Sequence, residues 1–593
     1  MEHRNWVDLY PLLFLILVLT ITLVTLILIV LPDNTFYTGD SGMMLIQIKS
    51  YIMNRWRSIN IIYPGEFLDP EHKVFDAGFL YSKDRRLYGA VSLTFTFLSS
   101  FPFWFFGYKG LYLIPSLSLL LTIVFVYLIT LHFSNKKTAL FASFLIGFGS
   151  PLIFYGVELR SHTLVVMLCT LSILLIFKSF DKRKYLNLIL SGISLGISYS
   201  FRVEILFFIA AIILSYFFIK GFKKNTFLEI FTISIGVIII VLPLSIFYHY
   251  SFGYFLGPHA YNYTSRDPMR CRIDALAIYK NYPPVEKYLL TRIGLFNEMI
   301  CPYSWFIWVS YFILTFLVLF ISIFNIYFKK ISKLFVLLLP FIFIIIFLKG
   351  IHTGSNSIVM TFPAILFVLF ILFPEEMEYK SKKIKGFHQI YYLFFVPTVF
   401  IFLIIITTWV VGTAQWGPRS MFPAFPPLAI FLSLINEKNF EDKAKKNISL
   451  IFYILLIISF VVQVAGIRAL VRGKTFTLQA VNGTKTLTSK SDVIITDINW
   501  FPVSNAAIYY DRYIFFVDSE KNLQNLLFAI DKKNIYSFFY VYSDSSTNSV
   551  YQNLIRNLIQ KVIFQQGYTI ESIKEVKTLK EKLIFIKYDK IKI

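Results

Sequence analysis

Apolar runs long enough to cross a bilayer recur along most of this 593-residue chain, and they limit its fold more than any motif does. Thirteen qualify: 11–31, 111–132, 138–153, 163–178, 186–201, 204–219, 226–248, 305–328, 334–348, 358–373, 389–411, 420–435 and 449–470. A span takes about 20 mostly apolar residues. Lipid offers no partner to exposed peptide groups, so each run must be a helix. A composition 56% hydrophobic, 19% aromatic and only 15% charged excludes a string of water-soluble domains. The run 11–31 is too long for a signal-peptide core and lacks a small-residue cleavage site, so it reads as a retained first span.

Charge then orients the spans. Lys+Arg 57 against Asp+Glu 34 gives +23, which in a soluble chain would raise nucleic acid as a partner. Here the lysines fall in clusters between runs, at 136–137, 178–184, 220–224, 329–333, 380–385 and 438–446. That pattern sets topology and excludes nucleic acid, because cytoplasmic loops gather Lys and Arg. The alternate loops 154–162, 202–204, 349–357 and 412–419 carry one basic residue each and belong outside. Segment 89–106 is apolar but broken by Pro102. If it crossed, either the N-terminus or the lysine loops would be on the wrong side, so it is read as interfacial. The sequence therefore predicts a multi-pass protein of the cell (inner or plasma) membrane with a cytoplasmic N-terminus. Residues 1–472 form the membrane domain, with outer loops 33–110 and 249–303, and residues 473–593 form an extracytoplasmic domain.

In that tail, 492–497, 513–519, 536–543 and 583–588 read as strands, while 522–530 and 550–563 read as amphipathic helices. The fold class is an α-helical polytopic membrane protein with a small C-terminal α/β domain. No Gly-rich phosphate loop marks that domain as a nucleotide site, and it reads as structural or acceptor-docking. Cys169, Cys271 and Cys301 are too few for a disulfide scaffold and lack metal-ligand spacing, although Cys271 and Cys301 could pair outside.

Ionisable residues at the membrane face are costly and therefore candidates for function. Asp40 stands between Gly39 and Gly42 directly after the first span, either against a substrate or as a cap of segment 41–56. Glu158 and His162 sit in the turn Ser150–His162, four residues apart. If the second helix begins early they share a face; the alternative is a structural pair with Arg160. Arg202 and Arg419 fall in short outer connections. Each suits a lipid-linked phosphate, since a guanidinium donates to two oxygens and stays charged, or it snorkels to headgroups. Arg57 and Arg86, with Arg55, Lys83 and Arg85, make the first outer loop basic, as Arg266, Arg270, Arg272 and Arg292 do the second. Basic residues outside oppose the topological bias and point to an anionic partner. His352 either approaches a phosphate or caps a span.

The pattern resembles the GT-C superfamily of polytopic glycosyltransferases that use polyprenyl-phosphate sugars, including protein O-mannosyltransferases, aminoarabinose transferases and oligosaccharyltransferases. The matching features are Asp40 after the first span, interfacial segments 41–56 and 89–106, and the turn with Ser150, Pro151, Tyr155, Glu158 and His162. Gly192, Gly196 and Arg202, and Trp416-Gly417-Pro418-Arg419 before a Pro-rich span, complete them. The resemblance covers about residues 1–470. It implies an inverting transferase that moves a single sugar from a polyprenyl-phosphate donor to a glycan, lipid or protein acceptor at the outer face. Asp40 would then be the general base, Glu158 and His162 would orient the acceptor or Asp40, and Arg202, Arg419, Arg86, Arg57 and His352 would bind donor phosphate. Several relatives place a second carboxylate beside the first-loop aspartate, whereas Ser41 follows Asp40 here. No metal site and no certain cofactor is therefore assigned, a divalent metal staying open. The competing class is a transporter or flippase of lipid-linked sugars, which would also need outer arginines.

Overall fold

The structure, a computed structural model, describes residues 10–74, 80–84, 86–181, 183–253, 255–257, 299, 357–371, 387–407, 415–441, 446–544 and 550–591. The chain forms two compact units. One comprises Met1–Leu26, Ile114–Leu244 and Arg272–Ala469; the other comprises Ile27–Leu113, Ser245–Cys271 and Leu470–Ile593.

The described residues of the first unit are helical. The unit contains α1 (Tyr10–Thr25), most of α4 (Leu113–Phe133), α5 (Lys136–Gly147), α6 (Leu152–Gly156), α7 (His162–Asp181), α8 (Lys184–Phe201), α9 (Ile205–Lys220) and the first part of α10 (Lys224–Phe252). A single turn Ile358–Thr361, α11 (Phe387–Thr407), α12 (Phe425–Glu441) and the first half of α13 (Lys446–Leu487) follow. Among the described residues six helices are long and apolar enough to cross a membrane: Tyr10–Val30, Leu113–Phe133, His162–Asp181, Lys224–Phe252, Ile390–Thr407 and Ser449–Leu487. This is a multi-pass membrane protein. The runs 305–328 and 334–348 lie outside the described residues.

Some helical hydroxyls bond to their own backbone, Thr122 donating to the Ser118 carbonyl at 2.7 Å and Thr170 to that of Val166 at 2.7 Å, and others cross to a neighbouring helix, Ser194 donating to the Leu168 carbonyl at 2.8 Å. Helices α8 and α10 touch through glycine. A Cβ built on Gly192 would lie 2.0 Å from the Ile233 carbonyl oxygen and 2.9 Å from the Gly236 Cα. Glycine here brings the two backbones into contact, a packing that suits lipid, where no hydrophobic force drives helices together. Near the start of α10 the buried Glu229 pairs with Lys184 and Lys220 and accepts from the Tyr216 hydroxyl at 2.6 Å, tying α8, α9 and α10 at one end.

The second unit holds helix α2 (Gly39–Met53), a two-stranded ribbon of β1 (Leu80–Lys83) and β2 (Arg86–Gly89), α3 (Leu93–Gly110) and a five-stranded sheet. The sheet comprises β3 (Val493–Thr496), β4 (Tyr513–Phe516), β5 (Ser537–Asp544), β6 (Tyr568–Lys577) and β7 (Lys582–Lys590), ordered β4-β3-β5-β7-β6. Helices α14 (Glu520–Lys532) and α15 (Val550–Gln565) connect them. β3 pairs parallel with β4 and β5. Every residue of β3 is buried, as a central parallel strand demands, and Ile494, Ile514, Val541 and Phe585 share its core. The sequence offers no strand signal over Tyr568–Lys577, because β6 is a charged edge strand with little but Tyr568 turned inward.

Candidate functional site

Two segments far apart in sequence meet in the first unit. The Ser150–His162 segment forms the short helix α6 and a bend, and α7 begins only at His162. Glu158 therefore precedes the helix, and the one-face arrangement that an early start would have given is not the one found. Against this segment lies Trp416-Gly417-Pro418-Arg419. Gly417 has φ +80°, and a Cβ there would stand 2.9 Å from the Pro151 Cγ, so glycine is required both by its backbone angle and by the close approach. The Trp416 backbone N–H donates to the Tyr155 hydroxyl oxygen at 3.3 Å. The Trp416 indole donates to Gln463 Oε1 on α13 at 3.2 Å, and Gln463 Nε2 donates to the Thr361 carbonyl at 2.7 Å. A polar side chain inside an apolar run is thus fully used.

Tyr155, His162 and Phe422 form a small aromatic platform. Ring centroids are 4.8 Å apart for Tyr155 and His162, and 4.9 Å for Tyr155 and Phe422. Helix α8 ends where Arg202 turns extended, and this swings its guanidinium onto the platform. Arg202 Nη1 lies 3.1 Å from His162 Nδ1, and Arg202 Nη2 forms an ion pair with Glu204. The same Nη1 is 3.5 Å from His162 Nε2, so the guanidinium lies against the imidazole as a whole and not in line with one ring nitrogen. His162 in this arrangement orients Arg202. The charges of Arg160, Arg202 and Arg419 all act on both Tyr155 and His162. Glu158 and Arg160 are buried, at 1% and 3% exposure. Three guanidinium groups stand against the carboxylates Glu158 and Glu204, an excess of positive charge in a partly buried site, where charge-assisted bonds to an anion are strong.

Asp40 belongs to the second unit, in the first turn of α2. Thr38, rather than Asp40 or Ser41, holds the N-cap position, and a carboxylate in the first turn still opposes the helix dipole favourably. Ser41, beside Asp40, is fully buried and is no carboxylate, so this pair brings a single carboxylate where a hard cation takes several oxygens. Among the described residues no group of three His, Cys, Asp or Glu converges. Arg57, after α2, and Arg86, on β2, are exposed in the second unit. His352, the 266–292 arginines, Cys271 and Cys301 lie outside the described residues. Sequence reasoning passed over Arg160 as a structural partner and Gln463 altogether. The available signals were an arginine inside a tight membrane hairpin and a lone amide inside an apolar run.

Residues 103–249 match the family model described as dolichyl-phosphate-mannose-protein mannosyltransferase. No curated protein gives a significant sequence match. Among solved structures the chain is similar to the apo oligosaccharyltransferase of Archaeoglobus fulgidus, at 14% identity and TM-score 0.51, covering 91% of this chain and 70% of that one. It is also similar to ArnT of Cupriavidus metallidurans bound to undecaprenyl phosphate, at 10% identity and TM-score 0.52, covering 96% of this chain and 98% of that one.

Proposed function

We propose, on the premise that this chain is a polytopic membrane protein of the GT-C fold, that it transfers a single sugar from a polyprenyl-phosphate donor to an acceptor hydroxyl outside the cytoplasm. The topology that belongs to this reading has about thirteen spans and a cytoplasmic N-terminus. The observation that carries it is the convergence of Arg160, Arg202 and Arg419 on the Tyr155–His162 platform. The ArnT to which the chain is similar was solved with undecaprenyl phosphate, a ligand of the proposed chemical class.

A phosphate ester leaves as a stable anion, so the departing group needs positive charge more than a proton. Preorganised arginines supply that without reorganisation. His162 and Glu204 hold the two ends of the Arg202 fork, which fixes its plane. An acceptor hydroxyl is a poor nucleophile and needs a carboxylate to take its proton as the new C–O bond forms; Asp40 is assigned that role. Single displacement inverts the anomeric carbon. The membrane sets the depth of the prenyl chain and so removes part of the entropic barrier.

The test is transfer by the purified chain with a panel of polyprenyl-phosphate sugars, comparing wild type, Asp40→Asn and Arg202→Ala. Transfer by wild type, lost in Asp40→Asn, supports the reading. Full activity in Asp40→Asn removes Asp40 as the base. Donor movement across vesicles without transfer assigns the chain to the transporters.

A further inference from the structure

Helix α2, which carries Asp40, is locked by residues more than 400 positions later in the same unit. A Cβ on Gly42, two residues after Asp40, would stand 2.0 Å from the Val503 carbonyl oxygen and 2.9 Å from its carbon. The single turn Phe501–Ser504 thus presses its backbone onto the first turn of α2, and any side chain at 42 must drive the two apart. Below this contact a chain of hydrogen bonds continues. The Ile62 backbone N–H donates to Ser50 Oγ at 2.8 Å, Ser50 Oγ and the Tyr510 hydroxyl are 2.8 Å apart, and Tyr510 lies 2.9 Å from the Ile46 carbonyl. A carbonyl can only accept, so Tyr510 donates to Ile46 and Ser50 donates to Tyr510. Every proton has one direction, and the network is ordered. Lys49 adds a bond from its ammonium to the Ala507 carbonyl at 2.8 Å.

The approach to Asp40 is held as firmly. On α13, Gly473 abuts the Tyr37 ring, a Cβ there falling 2.4 Å from its Cδ2, and the Thr477 hydroxyl donates to the Phe36 carbonyl at 3.0 Å. The chain is therefore gripped just before Asp40 by α13 and just after it by 501–510.

We infer that segment 501–510 is the positioning element for Asp40, with Gly42 as the residue that admits it. Segment 501–510 then takes part in catalysis without touching the substrate. This rests on the assignment of Asp40 as the base. A misplacement of about 1 Å in a catalytic group can cost about 100-fold in rate, and Gly42→Ala forces a shift of that order.

The experiment uses the full chain with two variants. Gly42→Ala adds bulk at the contact, and Tyr510→Phe removes one link of the network without adding any. Hydrogen exchange reads the positioning directly: amides of residues 40–46 should exchange at least about 10-fold faster in each folded variant, while those of β5 stay unchanged. In transfer assays kcat should fall about 10-fold or more with donor KM within about twofold, the signature of an interaction expressed only in the transition state. Should Gly42→Ala fail to fold, Tyr510→Phe decides. Unchanged exchange at 40–46, or wild-type kcat in folded variants when Asp40→Asn is dead, overturns the positioning role and leaves the base standing. Full activity in Asp40→Asn removes both.

Discussion

Asp497 follows β3 directly, and its carboxyl is pushed up from 3.8 to about 6. Opposing influences compete there. Burial favours the neutral acid and is the largest; the Arg556 guanidinium and the Tyr540 hydroxyl favour the carboxylate and are outweighed. A group whose folded pKa exceeds its unfolded pKa binds more protons in the folded state, so its contribution rises as pH falls through the folded value. Between about pH 7.5 and about pH 5 this one carboxyl should add roughly 1.4 kcal/mol to the stability of the sheet. At neutral pH the ionised form costs roughly 3 kcal/mol, taking 1.36 kcal/mol for each of about two pKa units as an upper bound. Asp497→Asn keeps the shape and removes the ionisation. Hydrogen exchange at the β3 amides, corrected for the intrinsic pH dependence, yields the opening free energy in wild type and variant. Asp589 and Glu581, also pushed up by burial, titrate in both proteins and cancel in the difference. The variant should be the more stable near pH 7.5, and the gap should close by about 1.4 kcal/mol toward pH 5. A variant less stable at pH 7.5, or a gap independent of pH, would refute the claim that burial outweighs Arg556.

Gly192→Ala should force α8 and α10 apart by about 1 Å, costing about 1–3 kcal/mol by overpacking. Because α8 delivers Arg202, it should also lower transfer by about 100-fold; a thermal melt and a transfer assay check the two parts separately. Gln463→Leu leaves the buried Trp416 indole N–H without its acceptor, and a destabilisation of about 1–3 kcal/mol should appear in the melt. Arg202→Lys keeps the charge but loses the planar fork between His162 and Glu204, so donor KM should rise about 10-fold, more than for a lysine placed at an exposed arginine such as Arg57.

What the sequence makes legible here follows from how far its signals reach. Apolar length locates helices such as α7, α10 and α13, because a span must satisfy its backbone internally and cannot hide its composition. The buried strand β3 announces itself in the same way, while the edge strand β6 does not, since an exposed edge is kept charged and so resembles a loop. Motifs fared differently. Ser150-Pro151 and Trp416-Gly417-Pro418-Arg419 were readable as separate marks, yet what they have in common is a contact. Gly417 is glycine because Pro151 stands against it, and neither stretch states this alone. Gly42 and Gly192 tell the same story. Beside Asp40, a glycine looks like local freedom for an active-site turn, and in G-x-x-x-G it looks like a family signature. In the structure each is a surface cut away so that a distant carbonyl, that of Val503 or Ile233, can come within touching distance. A missing side chain carries no chemical signal of its own, so contacts of this kind are invisible until the partner backbone is seen. The same holds for Arg160, whose charge suggested a local ion pair until Tyr155 and His162 were found within reach of Arg202 and Arg419 as well.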